Sequence, residues 1–219
     1  MPATIFLTTG GIDTREPMWF EVLSGVLKTT SREYLDLETD LPRRFWLRTL
    51  QDRLQANDAL FGFLRRMPDQ ERTEWFARIV RELQTEPAFA RPNMMLTWDQ
   101  VRAMRQRGIE FGGHTVTHSF VSRLTRDRAE WEIGECKRRI EEELQASASH
   151  FAYPSGRAED FAPENKAIAR EVGYEAAVTT LWGLNYGETD RFELRRGGPW
   201  EEDEAMFAYK MDWYYLVNG

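Results

Sequence analysis

Two kinds of hydrophobic patterning alternate along this chain of 219 residues. Short uninterrupted apolar runs suit strands covered on both faces, and apolar residues recurring every three or four positions suit amphipathic helices. The first run, Ile5-Phe6-Leu7, predicts a buried strand over residues 3–9, closed by Gly10-Gly11. From about Pro17 to Phe89 glycine is scarce and the helical interval takes over. The stripes are Phe20, Leu23 and Leu27; Phe45, Leu47, Leu50 and Leu54; Leu60, Phe63 and Leu64; and Trp75, Ile79 and Leu83. They predict a helical insertion over about 17–90, joined around Asp36 to Asp40, Asn57-Asp58 and Pro68-Asp69. Asn57 and Thr73 are the expected caps, and Pro87 and Pro92 the stops.

Thr97 followed three residues later by Gln100 is a capping box, and Trp98, Val101 and Met104 give the stripe of a short helix ended by Gly108. A strand at 109–113 follows. Thr125 opens the longest helix, with Ala129, Ile133, Cys136, Ile140 and Leu144 on one face and Lys137, Arg138 and Glu141 to Glu143 on the other. Residues 149–153 predict a strand stopped by Pro154-Ser155-Gly156, and 164–172 a helix capped by Gly173. Further strands are expected at 175–180 and 191–195, and a last helix at 201–209. Such alternation predicts a parallel α/β sheet or barrel, with the site at the carboxyl ends of the strands. Gly10, His114, Pro154 and Thr180 all fall there.

The strand at 109–113 delivers the most reactive stretch of the chain. His114 and His118, two of only three histidines, stand four residues apart after Gly112-Gly113. The glycines are expected to turn the backbone, and Thr115, Val116 and Thr117 disfavour a helix, so both rings emerge from one loop. Neutral imidazole is a common ligand for zinc and its neighbours. Two hydrogen-bonded surface histidines would show the same spacing.

Composition narrows the field. A net charge of −7, with arginines interleaved among acids, argues against a nucleic-acid surface. The single Cys136 rules out an intrachain disulfide, and its place on an apolar stripe predicts a packed, inert thiol. No apolar run approaches the ~20 residues needed to span a bilayer. The amino terminus enters an apolar run without a basic start, so it does not read as a signal peptide, and the default address is cytoplasmic. It resembles an interior strand entered midway, which is expected to have a neighbour on each side.

Taken together, Gly113-His114-Thr115-Val116-Thr117-His118 and Phe151-Ala152-Tyr153-Pro154-Ser155-Gly156, about forty residues later, resemble the polysaccharide deacetylase (NodB-homology) family. Pro2 to Leu7, Trp98-Asp99-Gln100, Gly173-Tyr174 and Leu194-Arg195-Arg196 fit in the same order. The resemblance implies one deacetylase-like domain over 1–219, a distorted (β/α) barrel, and metal-dependent removal of the acetyl group from an N-acetylhexosamine unit of a poly- or oligosaccharide. It implies His114 and His118 as ligands of one divalent ion, zinc or else cobalt, nickel or iron, with Thr115 bracing their loop. Tyr153, Pro154 and Gly156 would shape the opposing wall, and the backbone N–H of Ser155 would meet the developing oxyanion. Trp182 and Trp200, in loops after strands, are candidates for stacking on a sugar, and Asn185 either binds substrate or makes a turn. Trp19, Trp46, Trp75, Trp98 and Trp131 read as packing anchors, and His150 as structural.

Three departures stand out. The family's Thr-Phe-Asp-Asp-Gly motif supplies a third ligand and the general base, and this chain has no Asp-Asp pair. Ala152 stands where many members have arginine, and Arg196 stands where a general-acid histidine is expected. Asp13, Asp99 and Asp160 read as loop and helix-start acids. Either the chain is a truncated member, the favoured reading, or a degenerate one, a catalytically inactive carbohydrate-binding or interaction module. A helical zincin-type protease is a poor reading because no Glu follows the first His.

Overall fold

The run Ile5-Phe6-Leu7 forms β1 (Ala3–Leu7), the edge of a four-stranded sheet. The computed structural model describes residues 3–14, 17–37, 44–85, 95–197 and 203–218. They fall into two compact units, Met1–Thr9 with Arg102–Gly219, and Gly10–Val101.

The second unit holds α1 (Trp19–Thr29), β2 (Tyr34–Asp36), β3 (Arg44–Trp46), α2 (Leu50–Leu64) and α3 (Asp69–Leu83). Its core gathers Leu23, Val26 and Leu27 of α1 with Leu35, Phe45, Leu60 and Ile79. The expected all-helical reading fails at one place: Phe45 lies in an antiparallel hairpin, paired with Leu35. Both strands alternate exposed, buried, exposed over three residues, a pattern too short to distinguish from a helical stripe. The expected breaks move too. Asn57-Asp58 lies inside α2, which begins at a reciprocal box between Thr49 and Asp52, and Asn57 accepts from the Ser24 hydroxyl instead of capping. Thr73 lies within α3, where its hydroxyl donates to the Asp69 carbonyl. Pro87 and Pro92, and the joint at 38–40, lie outside the described residues. Trp46, expected in a helix, stands on β3 and is exposed, as is Trp131.

Helix α4 (Trp98–Gln106) carries the predicted box, with Thr97 and Gln100 each accepting from the other's backbone N–H. The first unit continues through β4 (Ile109–Gly113), α5 (Arg126–Leu144), β5 (His150–Ala152), α6 (Pro163–Glu171), β6 (Ala176–Val178) and α7 (Glu204–Asn218). The sheet runs β1-β4-β5-β6, every pair parallel, so the expected parallel α/β class is borne out. The strand expected at 191–195 shrinks to one bridge between Val178 and Leu194, because a turn from Asp190 to Glu193 takes up its first half. Among the described residues no helix is long and apolar enough to cross a membrane.

On α5 the apolar face is as predicted, but Lys137 is buried against expectation, its ammonium donating to Ala148 O at 2.6 Å and pairing with Glu141 at 2.9 Å. Gly112 and Gly113 do not turn the chain; both belong to β4. They are needed for close approach. A Cβ on Gly112 would lie 2.5 Å from the His150 carbonyl oxygen, and one on Gly113 would strike the Tyr174 hydroxyl. The carbonyl belongs to the next strand and cannot yield. Gly112→Ala is therefore expected to destabilise by about 1–3 kcal/mol, the range for overpacking, read as a lower denaturant midpoint with an unchanged slope.

Candidate metal centre

Backbone bonding between β1 and β4 continues past the strand end. His114 N donates to Leu7 O at 2.9 Å, the Thr8 hydroxyl to His114 O at 3.1 Å, and Thr9 N to Thr115 O at 3.2 Å. The chain then turns through two left-handed residues, Thr115 at φ 66° and His118 at φ 59°. That conformation is unfavourable for a β-branched residue and costs about 1–3 kcal/mol unless its surroundings impose it. Between them, Val116 N and Thr117 N both donate to Oε2 of Glu132, at 2.8 and 2.9 Å, and the Thr117 hydroxyl donates to Oε1 at 2.6 Å. Glu132 comes from α5 and has 0% exposure. Arg128, one turn earlier, closes the cluster at 2.7 Å.

This loop brings the two imidazoles together, with centroids 4.9 Å apart and planes at 75°. The Nδ1 atom of His114 lies 2.6 Å from the carbonyl oxygen of Ala152. A carbonyl only accepts, so Nδ1 carries the hydrogen and the lone pair stays on Nε2. Desolvation, with the nearby His118 ring and Arg196 charge, pushes the His114 pKa from 6.5 down to about 3. A neutral ring with a fixed tautomer and a second ring beside it fits a transition-metal ion as a two-nitrogen donor set. Among the described residues no group of three His, Cys, Asp or Glu gathers to complete it.

The wall residues divide. Tyr153, expected at the substrate, has 0% exposure; it stacks on Phe161 at 4.6 Å and its hydroxyl donates to Phe192 O at 2.9 Å, so its ring belongs to the core. Pro154 is buried, and Ser155 and Gly156 follow at φ 60° and 65°. Thr180 pins this turn, its N–H donating to Gly156 O at 2.8 Å and its hydroxyl to Ser155 O at 2.6 Å. Asn185 makes a turn: its side-chain N–H donates to Arg195 O at 2.9 Å and its oxygen accepts from Arg195 N at 2.8 Å. Trp182 is 53% exposed. Arg196 is held by Nε donating to Thr179 O at 2.6 Å. Trp200 lies outside the described residues.

A family model for polysaccharide deacetylase matches residues 1–177. The chain belongs to the polysaccharide deacetylase family. One relative, YxkH of Bacillus subtilis (strain 168), which carries the polysaccharide deacetylase name, is 28% identical over 101 residues, 46% of this chain and 35% of its own. The deacetylase PplD of Streptococcus pyogenes, solved in complex with acetate, is 29% identical over 47% of this chain and 44% of its own, with a TM-score of 0.44. IcaB from Ammonifex degensii is 21% identical over 55% and 53%, with a TM-score of 0.43. The chain spans about a third to a half of the length of these proteins.

In this polysaccharide deacetylase chain the bracing expected of Thr115 is only partly its own. Its carbonyl accepts from Thr9 N, while its buried hydroxyl meets no hydrogen-bond partner among the described residues. Glu132 does most of the holding. No sequence signal marked it, because its partners are backbone N–H groups fifteen or sixteen residues upstream. Asp160 is buried and accepts from Arg157 N at 3.1 Å, a loop duty as expected, and Asp13, expected as a loop acid, also accepts from Trp98 N at the start of α4 at 3.2 Å. His150 opens β5. Cys136 is buried, donates to Leu7 O at 3.4 Å, and has its pKa pushed up to about 11 by burial, which leaves it unreactive.

Between pH 6.5 and about 3 the unfolded chain binds a proton at His114 that the folded chain does not, so this residue makes stability fall as pH falls through that window. In metal-free protein, imidazole nitrogen shifts should show His114 with Nδ1 protonated and uncharged until the pH nears 3. Titration at its ordinary value would mean that the ring is solvated and the Ala152 bond unformed.

Proposed function

We propose that this chain carries the histidine half of a metal-dependent deacetylase that hydrolyses the N-acetyl group of an N-acetylhexosamine unit in a poly- or oligosaccharide. The single observation that carries this reading is the convergence of the His114 and His118 rings, with Nε2 of His114 left as the donor by the Ala152 carbonyl. Membership in the polysaccharide deacetylase family supports it.

His114 and His118 would hold the ion, and nitrogen ligands suit zinc, with cobalt, nickel or iron as alternatives. A divalent ion supplies an acidified water and a polarised carbonyl. The chain's own residues act around it. The Ala152 carbonyl orients His114 and fixes its tautomer. The backbone N–H of Ser155, three residues on, would stabilise negative charge developing on the acetyl oxygen, an effect worth about 3–4 kcal/mol. Its tight turn is kept in place by Thr180. Arg196 offers a permanent positive charge near His114 and no transferable proton, so it would stabilise charge instead of replacing a general acid. The exposed face of Trp182 would stack on a sugar ring.

One observation favours a second reading, a carbohydrate-binding or interaction module without turnover: no third protein ligand joins the pair among the described residues. The 219-residue chain is expected to bind one Zn²⁺ weakly and to release little acetate from chitin oligosaccharide, since two protein ligands rarely suffice for a catalytic site. His114→Ala combined with His118→Ala should abolish the binding and leave the circular dichroism spectrum unchanged. Stoichiometric zinc retained by the double variant would overturn the ligand assignment, and robust acetate release by the chain alone would overturn the module reading.

A further inference from the structure

Glu132 is the one acid with 0% exposure among the described residues, and nothing in the proposed chemistry uses it directly. Its two oxygens are spent on one short piece of backbone. Oε2 accepts from Val116 N and Thr117 N, and Oε1 from the Thr117 hydroxyl and from Arg128. These bonds fall between Thr115 and His118, the two residues of the loop with positive φ. The ties from Leu7, Thr8 and Thr9 reach only His114 and Thr115, and a further bond to this stretch, between the Thr117 and Ser119 hydroxyls at 2.8 Å, lies within the loop itself. His114 is thus set by the sheet, and the path to His118 is set by α5.

We infer that Glu132 is the positioning residue of the histidine pair: its carboxylate holds Val116 and Thr117 so that the His118 ring meets that of His114. The inference rests on the reading of His114 and His118 as metal ligands for its purpose, but its geometry can be tested without metal. What the loop needs from position 132 is an acceptor of the right reach, and charge is secondary. Glutamine keeps the reach and one oxygen for the two N–H groups. Aspartate keeps the charge and falls one methylene short. Alanine removes both. Arg128 is 41% exposed and can turn to solvent when its partner is lost.

Two readouts on the 219-residue chain test this. The first, on metal-free protein, is the nuclear Overhauser contact between the two imidazoles. It should persist in Glu132→Gln and vanish in Glu132→Asp and Glu132→Ala. The second is the dissociation constant for Zn²⁺ by calorimetry. It should rise by about 10–100-fold in Glu132→Asp and Glu132→Ala, the usual effect of losing a group that orients a ligand, and much less in Glu132→Gln. The thermal midpoint, measured alongside, separates lost positioning from lost folding, and Glu132→Asp carries the test if Glu132→Ala does not fold. A ring contact kept in folded Glu132→Asp or Glu132→Ala overturns the inference, as does its loss in Glu132→Gln to the same extent as in Glu132→Asp. If the contact responds as expected while even the wild-type chain binds no zinc, the positioning role stands and the metal assignment fails.

Discussion

The carboxyl edge of the sheet depends on a stretch of backbone that cannot satisfy its own hydrogen bonds. After β4, the N–H groups of Val116 and Thr117 turn away from both neighbouring strands. A part-buried amide left without a partner costs about 1–3 kcal/mol, and two of them would exceed what a short loop can bear. The carboxylate of Glu132 answers both. The burial of an acid on the apolar side of α5, otherwise unfavourable, is offset by four donors converging on it. One helix side chain therefore fixes the course of a loop that the sheet begins.

That arrangement sets the electrostatics of the pair. The Ala152 carbonyl holds the hydrogen of His114 on Nδ1, and desolvation, the second ring and Arg196 all disfavour a charged imidazole. Protons and metal ions compete for the same nitrogen lone pair. A ring that refuses a proton until about pH 3 keeps Nε2 available across the physiological range. The same neighbours leave Arg196 as the fixed cation at this edge, held by the Thr179 carbonyl.

Much of this was legible in the residues. The parallel α/β class, the box at Thr97, the helix opened by Thr125 and the histidine loop all follow from local patterning that tertiary contacts then reinforced. What escaped was non-local. Gly112 and Gly113 read as a turn, because a sequence does not show that His150 and Tyr174 will press against them. Phe45 read as part of a helix, because three residues of alternation carry too little period. Lys137 read as an ordinary charge of an amphipathic helix and no sequence signal marked Glu132; the burial of both depends on main-chain partners contributed by other elements. Tyr153 read as a substrate contact and is bonded to Phe192 O instead, and of the two readings open for Asn185 the structure shows the turn, bonded to Arg195.

The strain at the loop bears on the choice between an enzyme and a silent module. Thr115 and His118 sit in a conformation that L-residues seldom adopt, and the chain holds them there with a buried carboxylate and continued strand bonding. A loop whose only duty was to link β4 to α5 would relax at little penalty by placing glycine at either position. Here a threonine and a histidine stand instead, and the product of the strain is a specific contact, one neutral imidazole against another at 4.9 Å. That contact stabilises the fold only modestly. Under the proposed reading a metal ion would join both rings, and a metal-retaining module and a working deacetylase would share that feature. The two would differ in whether an acid completes the donor set, which none does among the described residues, so the decision between them would lie with a carboxylate and leave the histidines unchanged.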